Sequence, residues 1–272
     1  MFNNRQTSRL LASPYIAWAV IFIVVPLAMI FFYGLTDESG AITFANIAAI
    51  ARQENLKSLV LALVLAFIST IICFLLAYPL AMILARNKIS SQGIITTLFI
   101  LPMWMNFLLR TMAWMTLLEN KGVINGILSF LGLPTISIIN TSSAIVIGMV
   151  YNFLPFMILP LYNSLARIDD SVINAARDLG ANAVQTFFKV TLPLTIPGIL
   201  SGITMVFIPA LTTFAISTML GGSKILLIGN VIEQEFTLSY DWNMGAGLSL
   251  VLMLFIIVNM VVTMMTDKSS YN

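Results

Sequence analysis

The sequence contains no histidine, a single cysteine and few charged residues, and each shortage excludes a class of protein. Without histidine, the chain lacks the usual metal ligand and the usual general base near neutral pH. The one cysteine, Cys73, excludes an internal disulfide and argues against redox or zinc chemistry. Charged residues make up 9% of the chain, whereas a soluble globular domain has about 25%. The chain is therefore not a soluble globular protein.

Several functional motifs are missing as well. No G-x-x-x-x-G-K-[ST] phosphate-binding loop occurs, so we expect the chain not to hold ATP itself. The net charge is +2 and no basic cluster indicates a nucleic-acid partner. The long apolar runs contain no carboxylate that could act as a base, which disfavours an enzyme acting within the membrane. We expect no catalytic residue, cofactor or metal on this chain.

Long apolar runs are what the chain does contain. Hydrophobic residues make up 59% of it, and the mean hydropathy is +0.99. Six runs reach the roughly 20 residues that a helix needs to cross a bilayer. The first run is longer than the core of a cleavable signal peptide and lacks a small-residue cleavage site, so we expect a retained span. We predict an all-α polytopic membrane protein of one domain, 1–272, with spans at about 14–34, 58–85, 94–118, 143–166, 196–220 and 245–266.

The basic residues predict an orientation. With a cytoplasmic N-terminus, more lysine and arginine lies inside than outside, as the positive-inside rule requires. The inner set is Arg5, Arg9, Arg86, Lys88, Arg167, Arg177, Lys189 and Lys268, and the outer set is Arg52, Lys57, Lys121 and Lys224. This places both termini and the loop 167–195 in the cytoplasm.

The loop 167–195 carries the signals of a short helix. Asp169, Asp170 and Ser171 are N-cap candidates, and Gly180 stands where a C′ glycine would end the helix. Small and apolar residues recur between them at helical spacing and form one face: Val172, Ala175, Ala176 and Leu179. A helix of two to three turns is not stable alone in water, so we expect a partner to hold this face.

The same loop resembles the EAA loop of ABC importer permeases. Asn174-Ala175-Ala176 is followed at the family's spacing by Gly180, Val190 and Leu192-Pro193. Asn174 stands where the family usually has Glu, which removes a charge that could pair with a basic group on the ATPase. The resemblance implies a coupling helix that fits a cleft in a cytoplasmic ATPase, with contacts from Asn174, Ala175, Ala176, Asp178, Leu179, Gly180 and Pro193. The alternative is an ordinary short helix between two spans.

Further segments resemble the polyamine (spermidine/putrescine) branch of these permeases, and its first permease subunit more than the sister subunit. They are Ala77-Tyr78-Pro79-Leu80-Ala81, Leu101-Pro102-Met103-Trp104-Met105-Asn106, Asn152-Phe153-Leu154-Pro155-Phe156-Met157 and Met219-Leu220-Gly221-Gly222-Ser223-Lys224. The resemblance implies the type I (MetI-like) permease fold in a bacterial plasma membrane and transport by alternating access. It also implies two copies of an ATPase that bind ATP and Mg, a second homologous permease subunit, and an extracytoplasmic polyamine-binding protein.

A polyamine must be bound weakly enough to leave, and aromatic faces attract a cation by about 0.5–2 kcal/mol each. Trp104 and Tyr151 are therefore pathway candidates, with Asn106 and Asn152 as hydrogen-bonding partners. The alternative for Trp104 is an interfacial aromatic anchor. Arg110 would repel a polyamine, so we interpret it as structural, facing the interior and paired with an outer acid such as Glu119 or Asp241.

On the outer side, the flexible pair Gly221 and Gly222 favours an outer gate or a contact with the binding protein. The same role is predicted for Asn230, Glu233 and Asp241. A plain surface turn is the alternative for the glycine pair. Counter-charges for a polycation would come from outer acids such as Glu233, Glu235 and Asp241, from the sister subunit or from water. Prolines within the apolar runs favour a bundle that rearranges, although each alone is equally explained as a packing kink: Pro26, Pro79, Pro102, Pro155, Pro160 and Pro209.

Three alternatives stay open from the residues. The solute could be another amine, or a thiamine, iron or aminophosphonate compound as in other branches of the family. A self-contained secondary carrier would be expected to show intramembrane ionisable residues or an internal repeat, and only Arg110 is present. A non-transporting scaffold fits the topology but does not explain the coupling loop.

Overall fold

In the computed structural model of the chain, the structure describes residues 13–86, 103–222 and 224–269. These residues are mostly helical and include no β-strand, only an isolated bridge between Thr36 and Ile42. The principal helices are α1 (Ser13–Gly34), α2 (Gln53–Arg86), α3 (Phe107–Leu118), α4 (Val123–Phe130), α5 (Ser142–Leu165), α6 (Asp170–Asp178), α7 (Ala183–Leu194), α8 (Ile196–Thr212), α9 (Ala215–Leu220), α10 (Ile228–Gln234) and α11 (Trp242–Ser269). The all-α prediction is confirmed.

Four of these helices are long and apolar enough to cross a membrane: α1, α2, α5 and α11. The pair α7 and α8, which meet at an angle of 64°, would provide a fifth if it counts as one span. In the predicted third span, residues 94–102, with Pro102, lie outside the described residues, and α3 covers the end of that run. The count of six spans and the cytoplasmic termini stay predictions.

The boundaries of two predicted spans differ from the structure. Helix α2 begins at Gln53 rather than at 58, so its first turn is polar and extends beyond the apolar run. The predicted span 196–220 is not one helix, because α8 ends at Thr212 and α9 begins at Ala215. Thr213 and Phe214 between them are not helical, and hydropathy alone gave no sign of this break.

Prolines in two of these helices are preceded by a wider π-helical turn. In α1 the turn Val20–Val24 comes just before Pro26, and the N–H of Val25 donates to the carbonyl of Val20. In α7 the turn Phe187–Thr191 comes just before Pro193. A proline ring clashes with the carbonyl four residues earlier, and the wider turn moves that carbonyl aside without ending the helix. Pro79, Pro155, Pro160 and Pro209 lie inside α2, α5 and α8.

The chain forms two compact units, and the first comprises residues 1–56 and 231–255. In this unit two asparagine amides satisfy carbonyls at the end of α1 that a helix C-terminus leaves unpaired. Asn243 donates to the carbonyls of Thr36 at 2.6 Å and Tyr33 at 3.1 Å, and Asn46 donates to Thr36 at 2.8 Å. The end of α1 and the following loop are thus fastened to the start of α11.

The second unit comprises residues 57–230 and 256–272, and its most extensive packing is between α5 and α8. Two glycines of α8 allow the close approach. A Cβ at Gly198 would meet the carbonyl of Pro160 at 2.8 Å, and one at Gly202 would meet the sulfur of Met157 at 2.6 Å. The core of this unit includes five large, fully buried residues of α5: Ile145, Met149, Met157, Ile158 and Leu161. The single domain 1–272 stays a prediction.

Candidate functional site

The predicted coupling helix is α6, and its caps hold it in place. The Asp169 carboxylate accepts a hydrogen bond of 2.8 Å from the N–H of Ser171, which holds the pKa of Asp169 below its usual value. At the other end Gly180 has φ +85°, a left-handed conformation that favours glycine. Gly180 N–H donates to Arg177 at 2.8 Å and Ala181 N–H donates to Ala176 at 3.0 Å, which is the Schellman pattern. The sequence predicted both ends of this helix.

No residue of α6 is buried within this chain. On the predicted small face, Val172 is 42% exposed, Ala175 is exposed and Ala176 is half-buried. Leu179, immediately after the helix, is 89% exposed. A nine-residue helix with no buried side chain has little packing to stabilise it. This exposed face is therefore available to a second protein.

The segment that follows α6 is fastened to α2, which the sequence did not reveal. Asn182 and Gln185 form a reciprocal capping box at the start of α7. Phe187 packs edge-on against Tyr78 of α2, with ring centroids 5.6 Å apart. The hydroxyl of Tyr78 lies 2.9 Å from that of Thr195, at the junction of α7 and α8. The only signal for Tyr78 in the sequence was its place in the Ala77-Tyr78-Pro79 segment.

A cleft of about 440 Å³ opens beside α6. Ile173, Asn174 and Arg177 of α6 line it, together with Arg86 at the end of α2 and the buried Thr191 of α7. Asn174, the residue that departs from the family's usual Glu, thus lies in the same cleft as two arginines. Asp170 at the start of α6 also lines it.

The aromatic candidates differ in their surroundings. Trp104 is 81% exposed in the helical turn before α3. Tyr151 is 39% exposed, and its ring meets Trp114 edge-on with centroids 5.2 Å apart. The guanidinium carbon of Arg110 lies 5.8 Å from the centre of the Tyr151 ring, which is within the range of a cation–π interaction. The structure thus brings Tyr151 together with Arg110 and with Trp114, a residue that the sequence did not single out.

Arg110 is 7% exposed, which agrees with an arginine that lies inside a span and faces protein. The predicted ion pair with Glu119 or Asp241 stays a prediction. The structure places the Tyr151 ring beside the guanidinium, and an aromatic face is one of the groups on which an arginine stacks.

The two asparagine candidates are engaged within the chain. Asn106 is the N-cap of α3, and its side-chain oxygen accepts hydrogen bonds from Leu108 N–H at 2.8 Å and Leu109 N–H at 3.3 Å. Asn152 is 1% exposed, and its amide donates to the carbonyl of Gly148 at 2.8 Å. The side-chain oxygen of Asn152 is buried and has no hydrogen-bond partner among the described residues. The part of both asparagines in a pathway stays a prediction.

Asn230 is the centre of a buried hydrogen-bond network at the break between α8 and α9. Its amide nitrogen donates to the carbonyl of Phe214 at 3.1 Å and to the hydroxyl of Thr218 at 2.8 Å. Its oxygen accepts from Leu227 N–H at 3.1 Å and lies 2.5 Å from the hydroxyl of Ser217. Asn230 is only 2% exposed, so its side chain faces this network, and the predicted contact with a binding protein stays a prediction. A gate role for Asn230 stays a prediction.

The glycine pair forms a tight turn beside the same network. Gly222 has φ +59°, and a Cβ there would collide with the side chain of Asn140. Gly221 is buried, and a Cβ there would meet the carbonyl of Ser217 at 2.6 Å. Both positions therefore require glycine for packing, which accounts for the pair whether or not the turn is a gate.

The two acidic outer candidates belong to the first compact unit and serve its helices. The Asp241 carboxylate accepts a hydrogen bond of 2.8 Å from Met244 N–H, at the start of α11. The Glu233 carboxylate lies 3.2 Å from the hydroxyl of Thr237, one turn along the chain. Both carboxylates are solvent-accessible, so the binding-protein contact stays a prediction for them.

These features define an all-helical membrane permease with a capped, exposed helix between two membrane segments. The chain belongs to the family of binding-protein-dependent transport system inner membrane components, whose model matches residues 77–268. It is a multi-pass inner-membrane protein, and permeases of ABC importers imply an ATPase and a periplasmic binding protein as partners.

Two curated relatives are spermidine/putrescine transport system permease proteins PotB. The protein of Haemophilus influenzae is 36% identical over 255 residues, which cover 91% of this chain and 89% of that protein. The protein of Escherichia coli K12 is 38% identical over 245 residues, which cover 87% and 89%. This chain is thus homologous to the first permease subunit of the polyamine branch.

A solved structure of a bacterial alginate ABC transporter, in complex with a periplasmic protein that holds an alginate pentasaccharide, has the same fold. Its TM-score is 0.77, and the match covers 96% of this chain and 93% of that chain at 15% sequence identity. At this identity the similarity concerns the fold alone, and it confirms the predicted permease fold.

Proposed function

We propose that this chain forms half of a translocation pathway for polyamines such as spermidine and putrescine, in a bacterial ABC importer. A second homologous permease subunit forms the other half. An ATPase dimer on the cytoplasmic side drives alternating access, and an extracytoplasmic polyamine-binding protein delivers the solute. ATP and Mg belong to the ATPase in this proposal, and this chain carries no catalytic residue.

The observation that carries the substrate class is the similarity to PotB proteins of 36–38% identity over about nine-tenths of the chain. This similarity spans the pathway candidates as well as the coupling loop, which favours the polyamine branch over the thiamine, iron and aminophosphonate branches. The aromatic surface around Tyr151 adds support, since an aromatic face attracts an ammonium group without trapping it.

The coupling role rests on α6 and on its attachments. The exposed face of α6 binds the ATPase in this proposal. Pro193 lies at the end of α7, just before α8 begins. A push on α6 would reach α8 through α7, and would reach α2 through the contacts of Tyr78 with Phe187 and Thr195. The bend of 64° between α7 and α8 is a place where such a movement can change direction.

The pathway role assigns Trp104 and Tyr151 to the solute. Arg110 already occupies one cation–π position at Tyr151, so a polyamine would compete with a charge held by the protein. Such competition keeps binding weak, as transport requires. The remaining counter-charge for the polycation would come from outer acids such as Glu233 and Asp241 or from the sister subunit.

Uptake into proteoliposomes tests the proposal. Both permease subunits and the ATPase are reconstituted, the binding protein is supplied outside, ATP is enclosed with the ATPase, and labelled spermidine or putrescine is added. ATP-dependent accumulation of either amine is the expected result, and thiamine should not compete. Accumulation that needs no ATP would favour the secondary carrier instead. Transport of thiamine in place of both amines would show that the substrate is not a polyamine.

A further inference from the structure

The cleft beside α6 has a charge that its own residues do not balance. Arg86 and Arg177 contribute two positive charges and Asp170 contributes one negative charge, so the formal charges of the lining residues leave one positive charge. The remaining polar lining comes from Asn174 and Thr191. The family resemblance leads one to expect a carboxylate at position 174. A carboxylate there would make the net charge of the lining zero.

A second feature of the cleft is the hydroxyl of Thr191. Thr191 is 3% exposed, and within the described part of the chain its buried hydroxyl has no hydrogen-bond partner. A buried hydroxyl without a partner costs free energy, so such a group is usually satisfied by a protein group or by an ordered water molecule. The cleft therefore combines two guanidinium groups with a donor that has no partner, which is a set suited to an oxygen anion.

We infer that this cleft receives one acidic side chain of the ATPase, with Arg86 and Arg177 as its charge partners and Thr191 as an additional donor. This inference rests on the proposed coupling role of α6. Four of the lining residues belong to α6 itself: Asp170, Ile173, Asn174 and Arg177. Asn174 and Arg177 are exposed, so a protein that docks on this helix can reach the cleft from their side. A single carboxylate supplies the one negative charge that the lining lacks.

Asn174 acquires a function in this arrangement. Asn174 adds no charge to the cleft, whereas Glu at this position would bring its own carboxylate close to Arg177, one turn away on the same helix face. The positive charge of the lining is therefore left for the ATPase carboxylate. The ion pair between α6 and the ATPase thus has its basic partners on the permease and its acidic partner on the ATPase.

The test titrates the ATPase subunit of the same importer onto the permease pair in nanodiscs and measures the dissociation constant. Arg86→Gln and Arg177→Gln are each expected to weaken binding by about three- to tenfold, as the loss of a charge-assisted hydrogen bond would. Asn174→Glu is expected to weaken it as well, because an internal carboxylate then competes. Arg167→Gln, an exposed arginine of the same loop that does not line the cleft, is the matched control and should have no effect.

A carbodiimide cross-link provides a readout that does not depend on affinity. Arg177→Lys should be joined to an Asp or Glu of the ATPase by an amide bond, and Arg167→Lys should not. Equal cross-linking of the two lysines, or equal binding by the Arg177→Gln and Arg167→Gln variants, would overturn the inference.

Two further arms separate the other outcomes. The titration is repeated in nanodiscs of phosphatidylcholine alone and with phosphatidylglycerol; an arginine effect that needs phosphatidylglycerol would make the cleft a lipid headgroup site and overturn the inference. Ala176→Asp reports on docking itself. If Ala176→Asp weakens ATPase binding and the arginine variants do not, only the cleft inference fails; if Ala176→Asp has no effect either, the coupling role of α6 fails with it.

Discussion

Tyr78 and Thr195 are joined by a hydrogen bond of 2.9 Å between two buried hydroxyl groups, although 117 positions separate them in the sequence. Thr195 lies 3.0 Å from the carbonyl of Leu192 and donates to it, so Tyr78 is the donor of the pair. The bond links α2 to the residue at which α7 bends into α8. It is a short connection between the segment that follows the coupling helix and the helices of the bundle.

Tyr78→Phe removes this bond and keeps the ring that packs on Phe187. We expect the complex to assemble normally, while the number of polyamine molecules transported per ATP hydrolysed falls by about two- to tenfold, the range for one lost buried hydrogen bond. The measurement is simultaneous uptake and phosphate release in proteoliposomes. Tyr240→Phe, on a tyrosine that is 74% exposed, is the control. An unchanged transport ratio in Tyr78→Phe would mean that the bond is only structural.

Gly180 is predicted to matter through its backbone conformation. A Cβ at Gly180 would meet no atom within 4 Å, so substitutions there cause no collision inside the chain. Gly180→Asn should keep near-normal coupling because Asn tolerates the left-handed region, whereas Gly180→Val should disturb the end of α6 at a cost of about 1–2 kcal/mol. The measurement is the rate of polyamine uptake by the two variants at equal expression. Equal loss of uptake in both would indicate a steric conflict with the partner instead.

Trp104→Ala tests the pathway assignment. We expect a lower rate of uptake with unchanged assembly, because the change removes an aromatic face worth about 0.5–2 kcal/mol to a cation. Trp104→Phe keeps an aromatic ring and should recover part of the rate. Normal uptake by the alanine variant would identify Trp104 as an interfacial anchor. Initial rates over a range of spermidine concentrations distinguish these outcomes.

The coupling helix could be predicted from the sequence, whereas the break before α9 could not. An N-cap aspartate and a C′ glycine act within a few residues, so Asp169 and Gly180 were sufficient to place α6. The break at Thr213 and Phe214 depends on Asn230, which lies 16 positions beyond Phe214 and donates to its carbonyl. Hydropathy rises and falls with composition and carries no information about such a contact.

The environment of Arg110 was also beyond prediction from the sequence. An arginine in a span is expected to face protein groups, and the charges in the sequence point to carboxylates as its partners. The structure places it against Tyr151, which is 41 positions away, and an aromatic ring leaves no charge signal in the sequence. The start of α2 at Gln53 was missed for a related reason, since a helix can continue beyond the apolar run that defines its span.

Substitution of Asn230 is expected to lower the stability of the protein measurably. Asn230→Ala removes the amide from a buried network, which should cost about 1–3 kcal/mol and lower the unfolding temperature of the purified protein. Asn230→Asp keeps the shape but replaces the donor to the Phe214 carbonyl with an acceptor, so it should be at least as destabilising. Asn120→Ala, at an exposed asparagine, is the control. Thermal unfolding of Asn230→Ala at the wild-type temperature would contradict the account of the break.

We propose that the chain couples ATP hydrolysis to polyamine transport through α6. The most direct test is the ATPase activity of the complete complex in liposomes, with binding protein and either spermidine or putrescine, for the wild type, for Ala176→Asp and for the control Ala183→Asp. The account predicts stimulation by at least one amine in the wild type and in the control, and none in Ala176→Asp. Stimulation by neither amine in the wild type would contradict the substrate class, and full stimulation of Ala176→Asp would contradict the coupling role of α6.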